Sequence, residues 1–542
     1  MPAQPAWATP RSVALIIAAY LLAHLGVRLW IGPALGVDDA EQALFAQHWL
    51  PSYRLRAPPL FTWALVALSP ITGVGMVVIS LLRTILLAMV LGFTYLTAHR
   101  LIRDPVLAAL AAFSITAIYV FGYYSHHDLT HTTVLSAFLA ASWYVLVRLT
   151  ETPRLPWYLA LGLCFGLGTL GKWNFAIFAL ALPLACLVTP GYRHLVLNWR
   201  IVPAALLAAA IVLPSALWAL HVGPAAGDGM GNVLGDRAGT LPLVLVKGTA
   251  SLALAVLAYP LPFLVIFLLA FGPIAWRGLR VPATSAPGAD PFAPTCGYLP
   301  SDAKRGLTPA VPSTGLLAMV MIIGIALHWL LVPLTRATHF AERLMQPALM
   351  LLPVYLFMLV EGGLKGGPAP ARHVRNYTIA LAAVAGVALL ARIGIHAAGP
   401  DVCRTACRDL LPVVHLAAGL RQAGFNGKGT VVVRDVHLGG NLRVQLPEAR
   451  FVATGYPARM WPRPAPESAD TSRSGQCLAV WSDYKGGAER QYAEIRAYLA
   501  RELGVPAEAK GRRGEVAARY AGSKRTARVL YELFDTPQGD CR

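Results

Sequence analysis

Of the 542 residues in this chain, 56% are hydrophobic and only 13% are charged, against about a quarter charged in a soluble domain. That deficit, with a mean hydropathy of +0.55, excludes a purely soluble protein. The formal net charge of +19 does not imply a nucleic-acid partner, because the Lys and Arg residues lie between apolar runs and in the tail. Loop cations of that kind orient a chain in a bilayer.

Taken in chain order, the segment MPAQPAWATPRS precedes an apolar run ending at Trp30, followed by Asp38 to Glu41 rather than a small-residue cleavage site. It reads as a retained first span. Stretches near the roughly 20 residues a spanning helix needs fall at 12–31, 74–98, 105–121, 129–148, 156–171, 174–190, 201–220, 248–276, 313–333, 344–361 and 376–396. These are eleven spans, so the two ends lie on opposite sides. One set of connections carries Arg11, Arg100, Arg103, Arg148, Arg154, Arg193, Arg200, Arg277, Arg280, Lys304, Arg305, Lys365, Arg372 and Arg375. The other set is poorer in Lys and Arg and holds Asp38, Asp39, Glu41, Asp128, Asp228 and Asp236. The first set is therefore cytoplasmic, with the N-terminus, and everything after about residue 397 is outside.

Residues 32–73 do not read as a span. AEQALFAQHWL is amphipathic at helical spacing, and PSYRLRAPPL follows it, which predicts an outer loop of helices lying in the membrane interface. Residues 281–311, rich in Pro, Ala, Gly and Ser, read as a loose cytoplasmic loop. Residues 1–396 thus form the membrane domain and 397–542 a second, water-soluble domain. In the latter, GTVVVRDV and CLAVWSD read as buried strands, while DLLPVVHLAAGLRQAGF and ERQYAEIRAYLARELG carry helical periodicity and end near Gly424 and Gly504. The alternation predicts a small α/β domain. Cys164 and Cys186 fall in spans and Cys296 in the cytoplasmic loop. Cys403, Cys407, Cys477 and Cys541 lie outside, where an even count implies two disulfides with three connectivities. Cys403–Cys407 with Cys477–Cys541 is the preferred pairing.

The residue types able to do chemistry gather in the outer loops. VDDAEQ at 37–42 sets two adjacent carboxylates at the membrane surface, where partial desolvation raises a carboxylate towards the range of a general base. Capping of the following helix explains the same residues equally well. YYSHHDLTHTT at 123–133 concentrates Tyr123, Tyr124, His126, His127, Asp128 and His131. His127 and His131, four apart, have the spacing of two metal ligands on one helix face, and also fit interfacial anchoring. Lys172 in GTLGKWNF is either a snorkelling cation or a phosphate contact. LTRATHFAERLMQPALMLLP at 334–353 brings Arg336, His339, Glu342, Arg343 and Gln346 to a span boundary, and Arg54 and Arg56 add cations beside the acidic loop. Ionisable groups at such a boundary are functional candidates. A base for an acceptor hydroxyl and cations for a departing phosphate suit group transfer from a phosphate-linked donor. With no P-loop, G-x-G-x-x-G, haem-attachment or kinase motif in the sequence, a lipid-phosphate leaving group fits better than a nucleotide. No cofactor is firmly implied, although a divalent metal is compatible. A lipid-linked-sugar flippase is the main rival, but the sequence carries no internal repeat of the kind many transporters show. A sensory or assembly protein with a partner-binding tail is a third reading.

The order of these elements resembles the GT-C glycosyltransferases: DDAE at 38–41, APPLFTWAL at 57–65, Asp128 before the fourth span, GKWNF at 171–175 and ERLMQPALMLLP at 342–353. The branch most like it holds protein O-mannosyltransferase-like enzymes and lipid A aminoarabinose transferases of Gram-negative bacteria. The resemblance implies about eleven transmembrane helices with a periplasmic C-terminal α/β domain in the bacterial inner membrane. It implies a polyprenyl-phosphate-linked sugar as donor, inversion at the anomeric carbon, and a glycolipid or other glycan acceptor, with a protein acceptor as the alternative. It assigns Asp38 as general base, Asp128 as a second acidic residue, and Lys172 and Arg343 to the donor phosphate; Asp39, Arg54, Arg56 and Arg336 join them as substrate-binding candidates. Where the aminoarabinose branch has an acidic-Lys pair before its prolines, this chain has Arg56-Ala57, which counts against a metal there. FAERLMQP at 340–347 and GNLRVQLPEARF at 440–451 look more like galacturonosyltransferases of lipopolysaccharide.

Overall fold

The computed structural model describes residues 6–53, 58–222, 239–280, 314–365, 367–402, 408–462, 476–482 and 487–534. Helix α1 (Pro10–Ile31) begins where Thr9 accepts the Ser12 N–H at 3.3 Å, with Pro10 at its first position. After it come the short helices α2 (Val37–Phe45) and α3 (Leu60–Thr72) and the long apolar helix α4 (Met76–Leu101). Among the described residues, eight helices are long and apolar enough to cross a bilayer, and the bent pair Glu342–Leu349 and Leu352–Gly363 makes a ninth if read as one span. Pro105–Ala117, Leu155–Gly171 and Phe175–Val188, three of the eleven expected spans, are shorter apolar helices.

One expected span is two elements. Residues 248–276 divide between helices Leu241–Ala258 and Phe263–Arg280, because Pro260 and Pro262 interrupt the run and cannot continue a helix's hydrogen bonding. The first packs near the far end of Thr314–Thr335, where the Phe340 N–H donates to Ser251 Oγ at 2.8 Å. The second packs at the opposite end: a Cβ on Gly278 would lie 1.8 Å from the Leu359 carbonyl oxygen, so only glycine permits that approach. At that same end Glu361 accepts the backbone N–H groups of Arg103 and Asp104 at 2.8 and 2.9 Å.

Thr130–Glu151 is the central helix, with 83% of its apolar window buried, packed between α4 and Leu155–Gly171. Leu22, Leu254, Leu269 and Leu390, each more than 60% exposed, mark the outward faces of the peripheral helices, the pattern expected of surfaces that meet lipid. The expected cytoplasmic loop at 281–311 lies outside the described residues.

The C-terminal region folds around a five-stranded sheet in the order β2-β1-β3-β5-β4. Strands β1 (Gly429–Val433), β2 (Ala449–Ala453) and β3 (Cys477–Ser482) are parallel, while β5 (Thr526–Phe534) runs antiparallel to β3 and to β4 (Arg512–Arg519). Val431, Val432, Phe451, Val452, Leu478 and Val480 are fully or almost fully buried, as β-branched and apolar runs in a covered parallel sheet should be. The two expected helices occur as Val413–Gln422 and Ala488–Glu502. A third, Val436–Gln445, links β1 to β2. Cys477 is disulfide-bonded; Cys403, Cys407 and Cys541 lie outside the described residues, and Cys164 and Cys186 are free and buried. The core of this domain also takes Ala34, Leu44, Phe45 and Tyr53 from the 32–53 connection. Helix α2 is therefore enclosed between the two domains rather than lying on the bilayer surface as an amphipathic element.

Candidate functional site

Nine residues are too few to hold a helix in water, so the position of α2 is set by what touches it. Its N-cap is Gly36, which has no capping side chain. The carboxylate of Asp128, from the connection before the central helix, does that work: the Asp38 N–H donates to Asp128 Oδ1 at 3.0 Å. The expected capping by the 37–42 carboxylates themselves is not seen: Asp128 from another loop is the cap, and Asp38 lies beside it, half-buried.

Asp39 points the other way. It pairs with the Arg83 guanidinium of α4 and accepts the Thr130 hydroxyl at 2.9 Å. The side chains of Asp39 and Arg83 are 1% and 2% exposed. A carboxylate so committed is no free contact for substrate, which corrects its place among the phosphate-binding candidates. An ionisable residue inside an apolar span announces a partner or a function, and Arg83 in the 74–98 run is the sequence signal that identifies this pair.

Gln42, next on α2, anchors a buried chain of hydrogen bonds. The Thr62 hydroxyl donates to Gln42 Oε1 at 2.5 Å, the Gln42 amide meets His131 Nε2 at 3.0 Å, and His131 Nδ1 meets the Gly171 carbonyl at 3.2 Å. The arrangement is satisfied by a neutral imidazole donating from Nδ1 and accepting at Nε2. His131 thus has no lone pair left for a metal. Among the described residues, no group of three or more His, Cys, Asp or Glu side chains has metal-site geometry. His127 donates towards the Tyr123 carbonyl at 3.2 Å and meets the rings of Tyr123 and Tyr124 edge-on. The chain through Gln42 ends on the turn that carries Lys172.

Lys172 sits between two helices and donates to Thr132 Oγ1 at 2.8 Å. Burial and the nearby Arg343 push its ammonium down to about 8, against the opposing pull of Asp38 and Glu342. Tyr124 feels Asp128, Arg343, Asp38 and Arg408 together, and is raised chiefly by burial. Asp128 is raised well above the ordinary carboxylate range by burial and then by Asp38 and Asp39, with Arg83 pulling against them. These mutual influences put Asp38, Asp128, Lys172 and Arg343 within electrostatic reach of one another or of shared neighbours, with Tyr124, Glu342 and Arg408 in the same set. Arg343 makes no hydrogen bond or ion pair with another described residue, as a side chain waiting for an anion would. Beside it, the Trp173 indole N–H, Asn174 Oδ1 and both amide atoms of Gln346 are buried without hydrogen-bond partners, a polar lining that a hydroxylated ligand or water would satisfy.

Arg336 is exposed just past Thr314–Thr335, in left-handed backbone at φ 56°, and no hydrogen bond or ion pair ties it to that set. Arg54 and Arg56 lie outside the described residues. Sequence reasoning missed Arg83, Thr130, Thr132 and Arg408. Gln42 stood inside the acidic motif without being singled out.

Residues 56–218 match the family model described as dolichyl-phosphate-mannose-protein mannosyltransferase. Two Rhizobium johnstonii proteins, the lipopolysaccharide core galacturonosyltransferases RgtA and RgtB, are 28% and 26% identical to this chain. The alignments cover 88% and 91% of it and the same shares of their own lengths. The fold matches solved structures of ArnT from Cupriavidus metallidurans bound to undecaprenyl phosphate and in the apo state, with TM-scores of 0.52 and 0.50 and identities of 15% and 14%. Those matches cover 96% and 95% of this chain and 98% and 97% of the ArnT chains. With a matched segment that includes α3, α4, Asp128 and Lys172, two relatives along nearly its whole length, and a shared fold, the chain is similar to membrane glycosyltransferases of the GT-C type.

Proposed function

We propose that the chain transfers a sugar, galacturonic acid in the narrowest form of the reading, from a polyprenyl-phosphate donor to a lipopolysaccharide-type glycolipid acceptor on the periplasmic face of the inner membrane. What supports this reading is that Asp128 accepts the Asp38 N–H at the start of α2 and that Lys172 lies within the electrostatic influence of Asp38 and of Arg343, which makes no hydrogen bond or ion pair with another described residue. RgtA and RgtB, named for lipopolysaccharide core galacturonosyl transfer, and the undecaprenyl phosphate bound to ArnT support the donor and acceptor classes. The basic connections on the opposite face support the orientation.

In this reading the acceptor hydroxyl attacks the anomeric carbon as the carbon–oxygen bond to phosphate breaks, and the departing phosphate keeps the bonding electrons. The hydroxyl proton passes to Asp38. Lys172 and Arg343 neutralise the negative charge that grows on the phosphate, a role for which preorganised cations are suited. A single displacement inverts the anomeric centre. Asp128 holds α2 at its N-terminus, so that the Asp38 carboxylate is presented by a fixed backbone. The unpartnered polar atoms of Trp173, Asn174 and Gln346 accommodate sugar hydroxyls.

The test is Asp38→Asn in purified protein. It should retain undecaprenyl phosphate binding and lose sugar transfer to lipopolysaccharide acceptor. Wild-type turnover in that variant refutes Asp38 as base, and a wild-type protein that transfers no sugar from any polyprenyl-phosphate donor refutes the function.

A further inference from the structure

Helix Val436–Gln445 of the C-terminal domain packs along α2. Asn441, 1% exposed, grips the backbone three residues before Asp38. Its Oδ1 accepts the Leu35 N–H at 2.8 Å, and its Nδ2 donates to the Leu35 carbonyl at 3.3 Å. His437 Nε2 meets the same carbonyl at 2.9 Å. At the other end of α2, Arg443 donates to the carbonyls of Ala43 at 2.7 Å and Ala46 at 2.9 Å. These lie in the last turn, where a helix leaves its acceptors unpaired and a cation meets the negative end of its dipole. Between the two grips the helices touch backbone to backbone. A Cβ on Gly440 would stand 1.8 Å from the Ala40 carbonyl oxygen. Gln47 extends the contact, donating to the Phe451 carbonyl at 3.0 Å and accepting the Phe451 N–H at 2.9 Å on β2.

We propose that the C-terminal domain is a clamp that positions the catalytic helix: Asn441, Gly440 and Arg443 fix α2, and with it the Asp38 carboxylate, relative to the phosphate-binding cations of the membrane domain. The inference rests on the reading of Asp38 as base. Asp128 holds the N-terminus of α2 from the membrane side and Arg443 its C-terminus from the soluble side, so α2 is placed by both domains and fixed by neither alone. Lys172 and Arg343 stand on membrane-domain elements that the clamp does not touch. Loosening the clamp therefore separates chemistry from donor binding. This makes Asn441, Gly440 and Arg443 positioning residues: none of them touches the reacting atoms.

The experiment compares Gly440→Ala, Arg443→Met and Arg443→Lys in the full-length purified protein. It reads kcat and donor KM for sugar transfer, undecaprenyl phosphate binding, and hydrogen exchange of the α2 amides. Gly440→Ala and Arg443→Met should lower kcat by about a hundredfold, the loss expected of a misplacement near 1 Å. Donor KM and undecaprenyl phosphate binding should stay unchanged while exchange in 37–45 accelerates. Arg443→Lys should recover part of the lost kcat. The clamp is overturned by unchanged kcat, by kcat and phosphate binding falling together, or by protected α2 amides in Gly440→Ala. If Gly440→Ala does not fold, the contrast between Arg443→Met and Arg443→Lys decides. If wild-type protein transfers no sugar, the proposed function fails, and α2 exchange in the folded variants still decides whether the clamp exists.

Discussion

Asp39→Ala strands the Arg83 guanidinium in a pocket where both side chains are almost wholly shielded from solvent, at 1% and 2% exposure. Removing one member of a buried pair leaves an uncompensated charge and costs about 3–5 kcal/mol, whereas exchanging both members for apolar groups of similar volume is often neutral. The second outcome is favoured here, because Asp39 Oδ2 and Arg83 Nε and Nη1 have no hydrogen-bond partners, so the pair is incompletely satisfied even when intact. Asp39→Ala also deprives the Thr130 hydroxyl of its acceptor, adding about 1 kcal/mol. The expected loss is therefore about 4–6 kcal/mol for Asp39→Ala and about 3–5 kcal/mol for Arg83→Met, with Asp39→Leu/Arg83→Met close to wild type. Equilibrium unfolding in mixed detergent micelles, followed by tryptophan fluorescence, measures all three. Losses that add up in the double variant would refute the buried pair. So would a stable Asp39→Ala protein that fails only in binding undecaprenyl phosphate, since that is the behaviour of a phosphate ligand.

Three further predictions concern the candidate site. With the Lys172 ammonium pushed down to about 8, the charged form falls away above that pH. Undecaprenyl phosphate binding should therefore weaken by about tenfold per pH unit above 8, and Lys172→Ala should weaken binding at neutral pH and flatten the profile when binding is measured by fluorescence. Because burial and its acidic neighbours raise the Asp128 carboxyl well above its ordinary range, Asp128→Asn, which keeps an acceptor for the Asp38 N–H, should retain most kcat. Asp128→Ala removes that cap and should lose about tenfold, a cost near 1 kcal/mol or slightly more for an absent N-cap; equal losses in the two variants would show that charge rather than capping matters. Gln42→Leu cuts the hydrogen-bond chain from Thr62 to Gly171 and should destabilise the fold by about 1–3 kcal/mol in the same micelle unfolding assay.

The membrane character, most helix positions, and strands β1 and β3 follow from the sequence, because hydropathy over some 20 residues and β-branched runs report a segment's own burial. Asp38, Asp128, Lys172 and Arg343 stand out in the sequence as charges beside apolar runs. What each one faces does not. Asp38 and Asp39 are neighbours of identical chemistry, yet one is half-buried beside Asp128 and the other is consumed by Arg83, because successive positions on a helix are turned by about 100°. The helix Val436–Gln445 was hidden for a related reason. Gly439 and Gly440 weaken any local preference for helix by about 1 kcal/mol each, and the glycine at 440 is needed only because Ala40, four hundred residues earlier in the chain, presses its carbonyl there. Hydropathy along the chain determines which segments leave water; only the packing around α2 decided which of the two carboxylates is taken by Arg83 and Thr130.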